Sequence, residues 1–128
     1  MTTNEAAVLR GSATVEVGPE ESAERWGNVG IDVLSTPAIL GRVEQICDEA
    51  MKPAMAAGEM TVGVAVTMHH RAPLRVGSTV TYRVRAPEYA PKTEFEFEVV
   101  AADGTVICAG SHRRAVIDAA QFKQSHGL

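Results

Sequence analysis

Glu44 and His70 are the side chains whose types and placement most invite a chemical reading. On a helical wheel Glu44 lies beside Leu40, Cys47 and Met51, at the edge of an apolar stripe, while the other charged residues of that segment point elsewhere. A carboxylate against an apolar wall holds its proton more tightly, because burial disfavours the charged form. That is one way to prepare a general acid or base. His70 has the strand parity of Val62, Val64, Val66 and Met68, the side expected to pack on a helix, so a helix carboxylate and a strand imidazole can converge. Each also has a plainer role. Glu44 can pack its stem and leave its head in water, and His70 can be a strand-end histidine bonded to a loop.

Three further residues belong to the same question. Thr36 is a natural helix cap ahead of Pro37, and it also puts a hydroxyl at a helix N-terminus, above the carboxylate. Gly63 within a strand is a packing necessity or a place where a ligand approaches the backbone. Arg114 shares the parity of Val106, Cys108 and Val116. An inward arginine needs an anion or carboxylate, unless the strand end is already in water. His69 faces away from His70, and the pair is too short a signal for a metal site.

The elements that must position these groups follow from periodicity. Residues 1–10 read as a loose end, residues 12–17 as a first strand, and residues 18–35 as a long loop or short broken helix. From Thr36 to Ala57 apolar residues recur at Ile39, Val43, Ile46, Cys47, Ala50 and Ala54, a helical spacing. Pro53 kinks or ends that helix and Gly58 stops it. Beyond Gly58 the period becomes two, over Val62–Met68, Val80–Val84, Phe95–Val99 and a β-branched run from Val106 to Ile117. Turns fall at Val76–Ser78 and Ala102–Gly104. Arg83 and Arg85 can face Glu94, Glu96 and Glu98 across an antiparallel pair. One long helix with four long strands after it predicts an α+β fold in which an antiparallel sheet wraps a central helix, the hot-dog architecture. Its open edge strand predicts at least a homodimer.

Composition narrows the function. The 128 residues suit one domain, 1–128, able to bury a core. The net charge of −4, with both signs mixed along the chain, argues against a nucleic-acid binder. No apolar run is long enough to cross a bilayer, so no membrane partner is expected. Met1 to Arg10 shows no charged start followed by an apolar stretch, so a secretory signal is not expected. Cys47 and Cys108 fit no metal spacing and read as buried thiols, which points to the cytoplasm.

The stretch from Ser35 to Phe122 resembles the fluoroacetyl-CoA thioesterase family of hot-dog thioesterases. The likeness is carried by Leu40-Gly41-Arg42-Val43-Glu44, by Ala50-Met51-Lys52-Pro53 and by the run from Thr61 to His70. It continues through Val76-Gly77 and ends on Gly110-Ser111-His112-Arg113-Arg114-Ala115-Val116-Ile117. The resemblance implies that Thr36, Glu44 and His70 are catalytic and that Gly63 and Arg114 support substrate binding. It implies hydrolysis of an acyl-CoA thioester to a carboxylic acid and free CoA, with no metal or redox cofactor. His70 would shuttle the proton; Glu44 would activate water or attack directly; Thr36 would position these groups or be the nucleophile itself. The family's namesake carries phenylalanines in its lid, where Gly27 and Gly30 stand here. An aromatic lid shapes a small dry pocket and two glycines do not, so the fluoroacetyl preference is not carried over. Two alternatives stay open: a hot-dog hydratase or dehydratase acting on acyl thioesters, and a non-catalytic acyl-CoA-binding module.

Overall fold

The computed structural model describes residues 7–128. Five strands form one antiparallel sheet in the order β1-β3-β4-β5-β2: β1 (Val8–Glu16), β2 (Glu59–His70), β3 (Thr79–Ala86), β4 (Lys92–Ala101) and β5 (Val106–Asp118). The first strand therefore begins at Val8 rather than at residue 12. Residues 8–10 of the expected loose end belong to it, and residues 1–6 lie outside the described residues.

Helix α1 (Thr36–Met51) crosses one face of this sheet. Ile39, Val43, Cys47 and Met51 are fully buried, and they share a core with Val80, Tyr82, Val84, Phe95, Phe97, Val99, Ile107 and Cys108. The period-two and helical patterns thus meet as alternation predicts, each buried Val, Ile or Phe contributing about 1.5–3 kcal/mol. The helix stops six residues short of Ala57. Pro53 removes an N–H donor and crowds the carbonyl four residues back, so the chain tightens into a 3-10 turn over Lys52–Ala54.

The long loop or short broken helix expected between β1 and α1 is a long connection carrying short, separate helical turns. Two 3-10 turns, Pro19–Glu21 and Ala23–Trp26, are pinned to the body by the bridges Ser22↔Leu34 and Val33↔Arg75. A second helix, α2 (Ala119–His126), follows β5 and was not expected from the sequence pattern. Its signals are local: Asp118 accepts the Gln121 N–H as a cap, and Gly127 adopts a left-handed conformation at its end.

Outward charges pair much as expected. Arg83 and Arg85 both reach Glu98, at 3.7 and 3.4 Å, while Glu94 pairs with Arg113 on β5 instead.

One irregularity matters for function. β2 pairs with β5 on one side only, and its register slips between Gly63 and Ala65, where Val64 is the extra residue of a β-bulge. The slip reverses the alternation. Thr61 and Gly63 face α1, and beyond the bulge Met68 and His70 do so. Val62, opposite Ala115, falls on the other face, contrary to the simple parity of the sequence.

Candidate active site

Helix α1 starts on a different residue from the one expected. Ser35, not Thr36, is its cap: the Ser35 hydroxyl accepts the Ala38 N–H at 3.3 Å. Thr36 is the first helical residue, and its hydroxyl is released from capping. It lies 2.8 Å from Nδ1 of His70 at the far end of β2. The other imidazole nitrogen, Nε2, is buried and has no hydrogen-bond partner among the described residues. A hydroxyl in contact with one nitrogen and a free second nitrogen is the arrangement that lets an imidazole take a proton from an alcohol or pass one on.

Glu44 lies two helical turns from Thr36, roughly 12 Å along the axis. Its surroundings differ from the apolar wall read from the wheel. The side chain is 43% exposed, and Oε2 stands 3.5 Å from Nη1 of Arg114 and 3.9 Å from Nε2 of His112. Gly63 lies beneath it. A Cβ there would fall on the Glu44 carboxylate and sit 3.0 Å from Cε1 of His112. Only a residue without a side chain leaves room for Glu44 in this position.

Arg114 is the buried cation that sequence parity pointed to, at 6% exposure. Its Nε donates to the Thr61 hydroxyl at 2.9 Å and its Nη2 to the Thr61 carbonyl at 3.0 Å. Nη2 also lies 3.5 Å from Oδ1 of Asp48, which accepts the Thr61 hydroxyl at 2.9 Å. Two carboxylates and a threonine thus meet the requirement that a buried charge be paired and bonded. Thr61, Asp48 and His112 were not singled out from the sequence. The bulge hid Thr61, because counting in twos places it on the outer face.

The chain therefore brings Thr36 to His70, and Glu44 to Gly63 and Arg114, as two clusters. Among the described residues no hydrogen bond or ion pair joins Glu44 to His70. Cys47, near the second cluster, is not a competing nucleophile: burial first of all pushes its thiol up to about 12, with Arg114 opposing and Glu44 adding to the rise. The loop that faces outward ahead of Thr36 turns on Gly27 and Gly30, at φ 104° and 82°, and exposes Val29 and Ile31. A side chain at either glycine would meet open space.

Comparison with known proteins places these features in context. Residues 17–120 match the family model of the fluoroacetyl-CoA-specific thioesterase, FlK. A curated fluoroacetyl-CoA thioesterase from Streptantibioticus cattleyicolor is 33% identical over 92 residues, covering 71% of this chain and 66% of that relative's length. A hot-dog-like protein from Thermanaerovibrio acidaminovorans superposes with a TM-score of 0.84 at 20% identity, covering 98% of this chain and 94% of that one. A Thermus thermophilus thioesterase superfamily member gives a TM-score of 0.80 at 20% identity, covering 91% and 86% of the two chains.

Proposed function

Because this chain belongs to the fluoroacetyl-CoA-specific thioesterase family, whose model spans most of its length, we propose that it hydrolyses an acyl-CoA thioester to a carboxylic acid and free CoA. The observation that carries this reading is the 2.8 Å contact between the Thr36 hydroxyl and His70 Nδ1. His70 takes the Thr36 proton as the oxygen attacks the thioester carbonyl. The C–S bond then breaks, and His70 returns the proton to the departing CoA thiolate. Water gives a proton to Glu44 and attacks the acyl-threonine carbonyl; the C–O bond to Thr36 breaks, the carboxylic acid leaves, and Glu44 returns its proton to the Thr36 oxygen. Gly63 keeps the backbone bare beside Glu44, so that its N–H serves the developing oxyanion. Arg114 orients Glu44. No metal or redox cofactor takes part in these steps.

We infer that Thr36–His70 and Glu44–Arg114, two helical turns apart along α1, meet at one carbonyl across two chains, joined through the β2 edge. This strand runs for 12 residues with Met60, Val64 and Val66 exposed, an edge of the kind that pairs with another chain. Antiparallel pairing of two copies, centred between Val66 and Thr67, brings His70 of one opposite Gly63 of the other. Each homodimer then holds two composite sites. The free, buried thiols of Cys47 and Cys108 support a cytoplasmic setting.

Complementation tests both proposals. Thr36→Ala and Glu44→Gln should each release CoA thiol at least about 10²-fold more slowly. Unfolding and refolding the two variants together should restore about a quarter of wild-type turnover, since half the dimers carry one intact site of two. No recovery would place both groups in one chain's site. Full activity of Glu44→Gln, with the fold intact, would remove the hydrolytic assignment and leave a binding module. Conversion of an enoyl thioester without thiol release would favour the hydratase. With Gly27 and Gly30 leaving the entrance open, kcat/KM for fluoroacetyl-CoA should lie near that for acetyl-CoA, and a ratio of several orders of magnitude would refute this.

A further inference from the structure

His112 is 2% exposed, yet its ring makes two polar contacts of opposite sense. Nδ1 lies 3.0 Å from the carbonyl oxygen of Ala65. A carbonyl only accepts, so Nδ1 carries the hydrogen. Nε2 lies 3.1 Å from Nη1 of Arg114, which only donates. The two contacts together require the neutral imidazole with its proton on Nδ1. Ala65 borders the β2 bulge, and Arg114 Nη1 is the atom that faces Glu44. One ring thus ties the irregular turn of the strand to the guanidinium that holds the carboxylate.

We propose that His112 is a positioning residue: its Nδ1–H fastens the β2 bulge while its Nε2 lone pair turns Arg114 toward Glu44, holding the carboxylate over Gly63. The inference rests on the hydrolytic role proposed for Glu44. The charged groups facing the ring are Arg114 on its own strand and Glu44 from α1; Phe95 stands opposite on β4. A second proton would occupy the lone pair that Arg114 needs and set two cations side by side. Burial is the main cause that keeps the imidazole below its ordinary 6.5, against the Ala65 carbonyl, with Arg114 acting in the same direction as burial and Glu44 opposing.

Nitrogen NMR of the wild-type imidazoles reads the tautomer directly and does not depend on turnover. His112 should show Nδ1–H and be less than half protonated at pH 6.5, where a free imidazole is half protonated. A proton on Nε2, or an ordinary titration, overturns the proposal. Two variants then divide the contacts. His112→Asn keeps a donor for Ala65 and loses the acceptor for Arg114, whereas His112→Gln can return an acceptor at the Nε2 position. With KM little changed, kcat should fall about tenfold in His112→Asn, the scale of one hydrogen bond to a charged group, and recover in His112→Gln. Equal kcat in both variants and wild type overturns the positioning role. Run beside them, Glu44→Gln separates the two failures: if it is inactive while both His112 variants are normal, the hydrolytic reading stands and this one falls.

Discussion

The two clusters on α1 are built on opposite principles. At the helix start, one contact of 2.8 Å links Thr36 to His70, and the second nitrogen of the ring has no partner among the described residues. Two turns on, Arg114 is held by Thr61 twice, by His112 once, and by Asp48 and Glu44 through charge. The sparse cluster can change its protonation without breaking anything else. The dense one fixes a charge in place, and its reorganisation is already complete before any substrate arrives. Loss of His70 should therefore read out as lost rate alone, whereas loss of Arg114, the hub of the second cluster, should cost stability as well.

The sharpest way to break that contrast is at the sparse end. His70→Ala should lower turnover by about 10²-fold or more with little change in melting temperature, and Thr36→Ser should retain much of the activity that Thr36→Ala loses. A large drop in melting temperature for His70→Ala would show that the contact is structural. At the dense end, Arg114→Met should lower stability by about 2–3 kcal/mol in denaturant unfolding. This is less than a fully buried broken pair costs, because Glu44 and Asp48 stay partly hydrated. Unchanged stability would mean that Thr61 and His112 hold that region without the cation.

Two smaller effects sharpen the division. Ser35→Ala, which removes the true cap, should cost about 1 kcal/mol of stability and leave kcat nearly intact, the reverse of Thr36→Ala. The last concerns pH. His112 is held below 6.5 in the folded chain. Above that value neither state carries the proton. As pH falls through it, the unfolded chain binds a proton that the folded chain refuses, so stability falls with acidity until the lower folded value is reached. Melting curves from pH 7 downward should therefore slope less in His112→Gln than in the wild type, and equal slopes would contradict the cause given for the shift.

Much of this was legible in the sequence, and the misses have particular reasons. The stripe from Ile39 to Met51 and the alternation of Phe95, Phe97 and Val99 placed helix and sheet correctly, because burial on one face writes a period into the chain. Ser35 and Thr36 are both good caps, with a proline next to them that serves equally at the first or second helical position, so the helix start was one residue uncertain. Arg114 was found by parity, since β5 is regular opposite β4 over that stretch. Thr61 was missed because β2 is not regular, and Gly63, the mark of a possible bulge, reads in the sequence as a packing necessity or a place of ligand approach. His112 has the parity of Arg114, but in the sequence it stands out only as a member of the run Gly110–Ile117 that carries the family likeness.

The bulge has an evolutionary corollary. Gly63 and His70 are seven positions apart, an odd number, and in an even-stepped strand they could never look the same way; Val64 is the spare link that makes the count come out. Drift at Val64 can change which side chain sits there at little cost, provided the link itself survives. Loss of that single codon would instead turn either Gly63 or His70 away from the helix, leaving both residues in the sequence and one of them on the wrong side of the sheet. At Val64 it is the length of the strand, more than the identity of the residue, that keeps Gly63 and His70 on one face.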